Sequence, residues 1–330
     1  MSRARISFIH EQDAAAVSAT NSNREIVAIK LAIISSYSMF ASPVPVVIES
    51  LLPYHLLHLH QQIFHIGTSA VIPFAFVIRP ILGFFMTWAT WIGSHYLHLL
   101  QVLIISLALR KRYFHDRVAG RLRQGTRQVL ILGAGYDALA TLFAEMYPTV
   151  LFVEVDTPNM SSLKKRIVSE LGKRRDNLVF LAADLSCNNL KDNLQKQIPS
   201  WDVNAKTVVI AEGVFMYLTA DCVRKCMHSI KTLTPSDTMV VFSYVQKQQL
   251  NKTTNSFRDF FLWMPKLICE PLKWIAQDEE EVANIIEGDE FYAELAPHEN
   301  NLFRKYLRDT EFGIEDHPFY RKSNGMAMSK

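Results

Sequence analysis

The chain has 330 residues, of which 49% are apolar and 20% are charged, and its formal net charge is +3. A chain of this length can bury a large core, and we expect one core of about 220 residues behind an N-terminal extension. The net charge is too small to argue for a nucleic-acid partner. We expect no signal peptide, and the four cysteines lack zinc-type spacing, so a cytoplasmic protein with reduced thiols is predicted.

The segment between Glu49 and Arg110 is almost free of charge, since Arg79 is its only formally charged residue. The part from Pro80 to Leu109 would be long enough to span a bilayer, and a cluster of Lys and Arg follows it at positions 110–127. A helical lid packed on the core would be equally apolar, because every side of a buried helix meets apolar neighbours. We favour a buried lid that walls an apolar acceptor pocket, and contact with a membrane surface is the alternative.

Six of the eleven histidines lie in this apolar segment. They are His55, His58, His60, His65, His95 and His98. The first two and the last two form pairs whose helical spacing would place both rings on one helix face, as a metal site requires. No carboxylate or cysteine accompanies either pair, so we predict no metal site.

An apolar strand beginning near Gln128 then runs into a turn that contains Gly133 and Gly135. A second apolar strand ends at Asp156, about one βαβ unit later. Glycine lets the chain turn sharply off a buried strand and lets a ligand approach the backbone, and a carboxylate at the second strand end can accept hydrogen bonds from ribose hydroxyls. The pattern predicts a cofactor site in an α/β sheet, although Gly133-x-Gly135-x-x-Ala138 also fits the relaxed dinucleotide fingerprint.

Acidic residues follow two further predicted strands. Residues 178–183 form a short apolar strand that ends at Asp184, and residues 207–210 form another that leads to Glu212. Because the carboxyl ends of parallel strands line one crevice, we expect these acids to converge with Asp156 on one ligand. Such a set suits a ligand with ribose hydroxyls, an exocyclic amine and a cationic centre, and it suits a pyrophosphate poorly.

Four motifs in this region resemble, in order and spacing, the leucine carboxyl methyltransferase family. They are the residues from Leu132 to Asp137, Phe152 to Pro158, Ala183 to Leu185 and Ala211 to Leu218. The resemblance implies a Rossmann-like class I methyltransferase fold, with a mostly parallel seven-stranded sheet, and S-adenosylmethionine as the cofactor. The family includes protein C-terminal carboxyl methyltransferases and bacterial O-methyltransferases of small molecules.

Weaker matches extend this resemblance in both directions. Residues 22–30 resemble the family's N-terminal segment, and Arg110 with Tyr113 and Asp116 resembles an Arg-x-x-Tyr-x-x-Asp segment before the first strand. Residues 270–274 resemble a Glu-Pro motif of the bacterial branch, which favours a small-molecule acceptor. The resemblance is dense from about Arg110 to Val245.

The resemblance implies a role for each matching residue of the cofactor site. Lys30 and Arg110 would clamp the methionine carboxylate, for which a solvated surface charge is the alternative. Gly133 and Gly135 would give access to the backbone, Asp156 would hold the ribose, Asp184 and Leu185 would border the adenine, and Glu212 would face the amino-acid end. Helix capping is the alternative for the aspartates.

The chain departs from the family at one place. The family usually continues its glycine turn with Asp-Thr-Arg, whereas this chain has Asp137-Ala138-Leu139, so an arginine of the first helix is missing. Tyr217 and His228 follow the fourth strand, but neither shows a base and an orienting partner, and packing is the favoured role for both. No catalytic residue is predicted.

The predicted organisation is an N-terminal helical lid over residues 1–109 and a methyltransferase core over residues 110–330. The core would include a C-terminal helical insertion, a helix beginning at the acidic run 278–281, and a last edge strand at 324–329. The predicted activity is O-methylation of a carboxylate or hydroxyl of an apolar small molecule. A protein C-terminal carboxyl methyltransferase, an NAD-dependent oxidoreductase and a non-catalytic membrane-associated binding protein stay open, and the sequence does not predict the oligomeric state.

Overall fold

The computed structural model describes residues 54–71, 95–187, 190–235, 237–252, 258, 259, 262 and 271–287. The strands are β1 Gln128–Leu132, β2 Leu151–Asp156, β3 Leu178–Ala182, β4 Thr207–Ala211 and β5 Met239–Phe242. The helices are α1 Tyr54–Val71, α2 His95–Arg123, α3 Leu139–Met146, α4 Pro158–Glu170, α5 Leu190–Gln197, α6 Ala220–Leu233, α7 Lys247–Lys252 and α8 Glu279–Glu287. Short 3-10 turns follow β3 at Leu185–Cys187 and β4 at Phe215–Tyr217.

The five strands form one parallel sheet in the order β3-β2-β1-β4-β5. Leu130 in β1 lies opposite Val153 in β2 and Val209 in β4. The strand order reverses at β1, so the connections after β1 and β4 diverge and open a crevice at the carboxyl edge of the sheet. This topology confirms the predicted Rossmann-like α/β class. The predicted count of seven strands is not confirmed, and the edge strand predicted at 324–329 lies outside the described residues.

Helices cover both faces of the sheet, because alternate residues of each strand point to opposite faces. Val129 and Ile131 of β1 pack in a cluster with residues of α2 and α3, such as Phe114. Leu130 and Leu132 pack in a second cluster with α5, α6 and α8. β1 and β4 are buried along their whole length, as expected for central parallel strands.

Helix α1 packs against the core near the glycine turn. Its residues Leu56, Leu59 and Ile63 are buried in one cluster with Met160 of α4 and Tyr136 of the turn. This part of the predicted lid therefore covers the core, whereas residues 72–94 lie outside the described residues. The predicted domain boundary after residue 109 falls inside α2, and the division into two domains stays a prediction.

Within the described ranges, no helix combines the length and the apolar character needed to cross a membrane.

The chain after β5 returns to the loop that follows β4. The backbone N–H of Lys273 donates to the carbonyl of Met216 at 2.8 Å, and Gln246 forms a parallel bridge with Ala276. The helix predicted at the acidic run is confirmed as α8, where Asp278 Oδ1 accepts a hydrogen bond from the Glu281 N–H at 2.9 Å and caps the first turn. This packing brings residues 273–276 next to the loop after β4 and to the residues that follow β5.

Candidate functional site

The two glycines of the turn after β1 differ in what surrounds them. Gly133 has a φ of 61°, and a Cβ there would lie 2.4 Å from Cγ2 of Val214, so only glycine fits between β1 and the loop after β4. Gly135 has a φ of 47°, and a Cβ there would meet nothing within 4 Å. Packing therefore accounts for Gly133 without a ligand, whereas the space beside Gly135 is open to one.

Asp156 lies at the end of β2 and holds the glycine turn. Its Oδ2 accepts a hydrogen bond from the Gly135 N–H at 2.7 Å, and its Oδ1 accepts one from the Thr157 N–H at 2.8 Å. Burial raises the pKa of Asp156, and these two backbone hydrogen bonds oppose that rise. A carboxylate offers about four lone-pair positions, so the two bonds leave it able to accept from a ligand hydroxyl.

Glu212, at the end of β4, contacts two cations of α2. Its Oε1 lies 3.1 Å from Nε of Arg110, and its Oε2 lies 2.8 Å from Nζ of Lys111. The same Nζ lies 2.9 Å from Oδ1 of Asp137 in the glycine turn. The structure therefore brings together two predicted residues, Arg110 and Glu212, and adds Lys111, which sequence reasoning missed because a lysine beside an arginine reads as a solvated charge.

Asp184 lies after β3 and caps the 3-10 turn that begins at Leu185. Its Oδ1 accepts hydrogen bonds from the N–H of Ser186 at 2.9 Å and from the hydroxyl of Ser186 at 2.7 Å. Capping is thus an observed role of Asp184, and a ligand contact can coexist with it. Leu185 is half-buried against the apolar cluster of α5 and α6. Lys30, the remaining predicted residue, lies outside the described residues.

A buried ion pair between α4 and β2 contacts the backbone of the glycine turn. Nζ of Lys164 in α4 lies 3.0 Å from Oε2 of Glu154 in β2, and each side chain is 2% exposed. Lys164 also donates to the carbonyl of Gly135 at 3.2 Å and to the carbonyl of Asp137. Sequence reasoning missed this pair, although an acid in the middle of a buried strand indicates a buried partner.

Among the described histidine side chains of α1, His60 is the one that is partly buried. Its Nδ1 is buried and has no hydrogen-bond partner. Burial lowers its pKa to about 4, and the nearby charge of Lys111 acts in the same direction. His55 and His58 on the same helix are exposed. Among the described residues, no group of three or more side chains is arranged to hold a metal ion.

The two candidate residues after β4 are placed differently. Tyr217 is half-buried in the 3-10 turn, and His228 is exposed on α6. The packing role expected for His228 is therefore wrong, because its position faces away from the buried side of that helix.

Two buried groups are expected to give the stability opposite pH dependences. The folded state lowers the pKa of His60 from 6.5 to about 4, so the unfolded chain binds more protons in that range and His60 makes stability rise with pH. Burial raises the pKa of Glu154 from 4.5 to about 7, so the folded chain holds the extra proton and Glu154 makes stability fall as pH rises.

The two contributions largely cancel in the wild type, so we expect the stability of His60→Gln to fall with pH and that of Glu154→Gln to rise with pH. Urea denaturation across pH 4.5 to 7 measures both, with His58→Gln as the exposed control on the same helix. Curves for either variant that run parallel to the wild-type curve would contradict the assigned shift.

The part of the chain that contains the glycine turn and the acids after β2, β3 and β4 is similar to a known protein family. Residues 91–231 match the leucine carboxyl methyltransferase family. The matched segment runs from before α2 into α6 and contains every residue predicted for the cofactor site except Lys30. The resemblance drawn from the four motifs is thereby confirmed.

Two bacterial relatives match a little under half of the chain. A protein of Mycobacterium ulcerans, named as a candidate S-adenosyl-L-methionine-dependent methyltransferase, is 26% identical over 150 residues, which are 44% of this chain and 47% of that protein. A protein of the same description from Mycobacterium marinum is 31% identical over 149 residues, with the same two coverages. The chain thus spans about half the length of the relatives it matches.

Among solved structures, human N-acetylserotonin methyltransferase in complex with SAM is similar with a TM-score of 0.41 and 13% identity. The similarity covers 63% of this chain and 54% of the human protein.

Proposed function

We propose that this protein is an S-adenosylmethionine-dependent O-methyltransferase. One arrangement carries the proposal. Asp156 at the end of β2 and Glu212 directly after β4 lie on either side of β1, the strand that runs into the glycine turn. A ligand seated over that turn would meet a carboxylate on each side. The match of residues 91–231 to the leucine carboxyl methyltransferase family supports the same activity.

The chemistry of the side chains fits this cofactor. Its ribose hydroxyls need acceptors, which Asp156 offers, and its ammonium and sulfonium groups outweigh its single carboxylate. Lys164 is paired with Glu154, and among the other described residues at the carboxyl edge the carboxylates of Asp137, Asp156 and Glu212 outnumber the cations of Arg110 and Lys111. An excess of negative charge favours a ligand of net positive charge.

The chemistry of the cofactor determines which tasks are left to the protein. Bound S-adenosylmethionine supplies a methyl group already activated by the sulfonium. The residues of this chain have to bind the cofactor, exclude water and hold the acceptor oxygen in line with the methyl carbon at near-attack distance. Asp156 would orient the ribose, and Glu212 with Arg110 would orient the amino-acid end.

The start of α3 argues against a dinucleotide. A dinucleotide-binding turn offers the backbone N–H groups of its helix N-terminus to a pyrophosphate. Here Oδ1 of Asp137 accepts a hydrogen bond from the N–H of Leu139 at 3.0 Å, so a carboxylate already caps this helix end. Nearby Lys111 and Lys164 keep the pKa of Asp137 low in spite of its burial, which keeps it negatively charged. A pyrophosphate would lie beside like charge.

We further propose that the acceptor is an apolar small molecule with a carboxylate or hydroxyl group. The apolar composition of segment 80–109, the packing of α1 beside the glycine turn and the contact of Lys273 with Met216 support this class. A carboxylate, with an unperturbed pKa of about 4, would arrive ionised and need no general base, whereas an alcohol would need one. A protein C-terminal carboxylate is the alternative acceptor.

Isothermal titration calorimetry tests the cofactor, with S-adenosylmethionine and S-adenosylhomocysteine as ligands and NAD as the comparison. We expect both adenosyl ligands to bind and NAD to bind far more weakly. The absence of binding by either adenosyl ligand below millimolar concentration would overturn the proposed function. Transfer of a radiolabelled methyl group to fatty acids, apolar hydroxy compounds or peptides with free C-termini then separates the acceptor classes.

A further inference from the structure

Lys111 joins three elements of the candidate site. It lies on α2, and its Nζ contacts Asp137 in the turn after β1 at 2.9 Å and Glu212 at the end of β4 at 2.8 Å. The side chains of Lys111, Asp137 and Glu212 are 16%, 11% and 9% exposed, so water screens these contacts only weakly. Glu212 lies 101 residues from Lys111 along the chain, and the contact therefore depends on the docking of α2.

Lys111 also supplies a cation to the turn that leads into α3. Leu139, the first residue of α3, is fully buried in the apolar cluster between α2 and the sheet. No cation can therefore come from that position of α3. Lys111 brings one to Asp137 from a different helix.

The charged form of Lys111 is maintained in spite of its burial. Burial alone would lower its pKa, but Asp137 and Glu212 outweigh that effect and the pKa is raised. Lysine at this position is therefore a permanent cation at physiological pH. Arg110 binds one oxygen of Glu212 and Lys111 binds the other, so the carboxylate is held in one orientation from both sides.

We propose that Lys111 is a positioning residue that orients Glu212 toward the amino-acid end of the cofactor and ties it to the glycine turn through Asp137. The inference rests on the proposed function, because Glu212 has this task only if the cofactor is S-adenosylmethionine. Lys111 acts through Glu212 and Asp137, so its loss weakens recognition of the amino-acid end. Recognition of the adenosine end, at Asp156 and Asp184, stays as it was.

Two ligands that differ only at the amino-acid end distinguish a positioning role of Lys111 from a purely structural one. S-adenosylhomocysteine carries the amino-acid group, and methylthioadenosine lacks it. We expect Lys111→Met to weaken S-adenosylhomocysteine binding about tenfold or more, since hydrogen bonds to a charged group are lost, while methylthioadenosine binding changes less than about threefold. Lys111→Arg keeps the cation and is expected to bind both ligands with near wild-type affinity. Arg112→Met, at the next residue of α2, is the matched control.

Dissociation constants come from calorimetry, or from displacement of a fluorescent adenosine where binding is weak, and circular dichroism checks the fold. Equal weakening of both ligands by Lys111→Met, or no weakening of either, would overturn the positioning role. If Lys111→Met fails to fold, Lys111→Gln takes its place, with the same two outcomes. A wild-type protein that binds methylthioadenosine and S-adenosylhomocysteine equally well would also overturn it. Failure of the wild type to bind any adenosyl ligand would instead overturn the proposed function.

Discussion

At pH 8, above the pKa of about 7 that Glu154 has in the folded chain, Lys164→Met is expected to lower the free energy of unfolding by about 3–5 kcal/mol, because it leaves the carboxylate of Glu154 buried without its partner. Both side chains are 2% exposed and lie 3.0 Å apart. The variant also removes the donor to the carbonyls of Gly135 and Asp137, so the glycine turn loses a support. Urea denaturation followed by circular dichroism measures the loss.

The neighbouring residue provides the control for this prediction. Lys165 lies next in α4 and is exposed, so Lys165→Met should change stability by less than about 0.5 kcal/mol. The double variant Lys164→Met with Glu154→Leu replaces the ion pair by apolar side chains and should recover most of the stability. Equal stabilities for Lys164→Met and Lys165→Met would show that the buried pair contributes nothing.

Asp156→Ala is expected to reduce the affinity for S-adenosylmethionine by about a hundredfold or more, since charge-assisted hydrogen bonds to two ribose hydroxyls would be lost. Its carboxylate also accepts from the N–H of Gly135 and Thr157, so the substitution removes a second anchor of the glycine turn. The folded core should persist, because the apolar clusters on both faces of the sheet are unchanged. Calorimetry gives the affinity, and thermal unfolding gives the stability.

Asp176 offers a matched comparison for this second prediction. It is exposed in the connection between α4 and β3, and Asp176→Ala should bind the cofactor like the wild type. An Asp156→Ala protein that keeps wild-type affinity would remove Asp156 from the binding site. Weaker binding together with an unfolded chain would instead assign Asp156 a structural role.

Strands were the part of the fold that local pattern predicted well. Buried parallel strands are continuous apolar runs, and the predicted strands at 178–183 and 207–210 are observed at Leu178–Ala182 and Thr207–Ala211. The differences of one residue lie at strand ends, where hydrogen bonding is irregular. The glycine turn and the acids after β2, β3 and β4 were likewise visible, because parallel strands align their carboxyl ends.

Cations of the site were much harder to predict. Lys111 and Lys164 occur in helices rich in exposed charge, and nothing in their local spacing separates them from solvated neighbours such as Lys165. The lid raised the same difficulty. Its apolar composition favoured a buried helix but left a membrane segment open, and the structure places α1 against α3 and α4.

By itself, the sequence determined the α/β class, the glycine turn after β1 and the acids that follow the next strands, because these depend on short apolar runs and on the residues that end them. Only the tertiary structure decided which cations meet those acids. Arg110 and Lys111 reach Glu212 across about a hundred residues because α2 docks beside β4, and Lys164 reaches Glu154 because α4 packs on β2. Ion pairs of this kind depend on how helices are placed against the sheet, which local spacing does not specify.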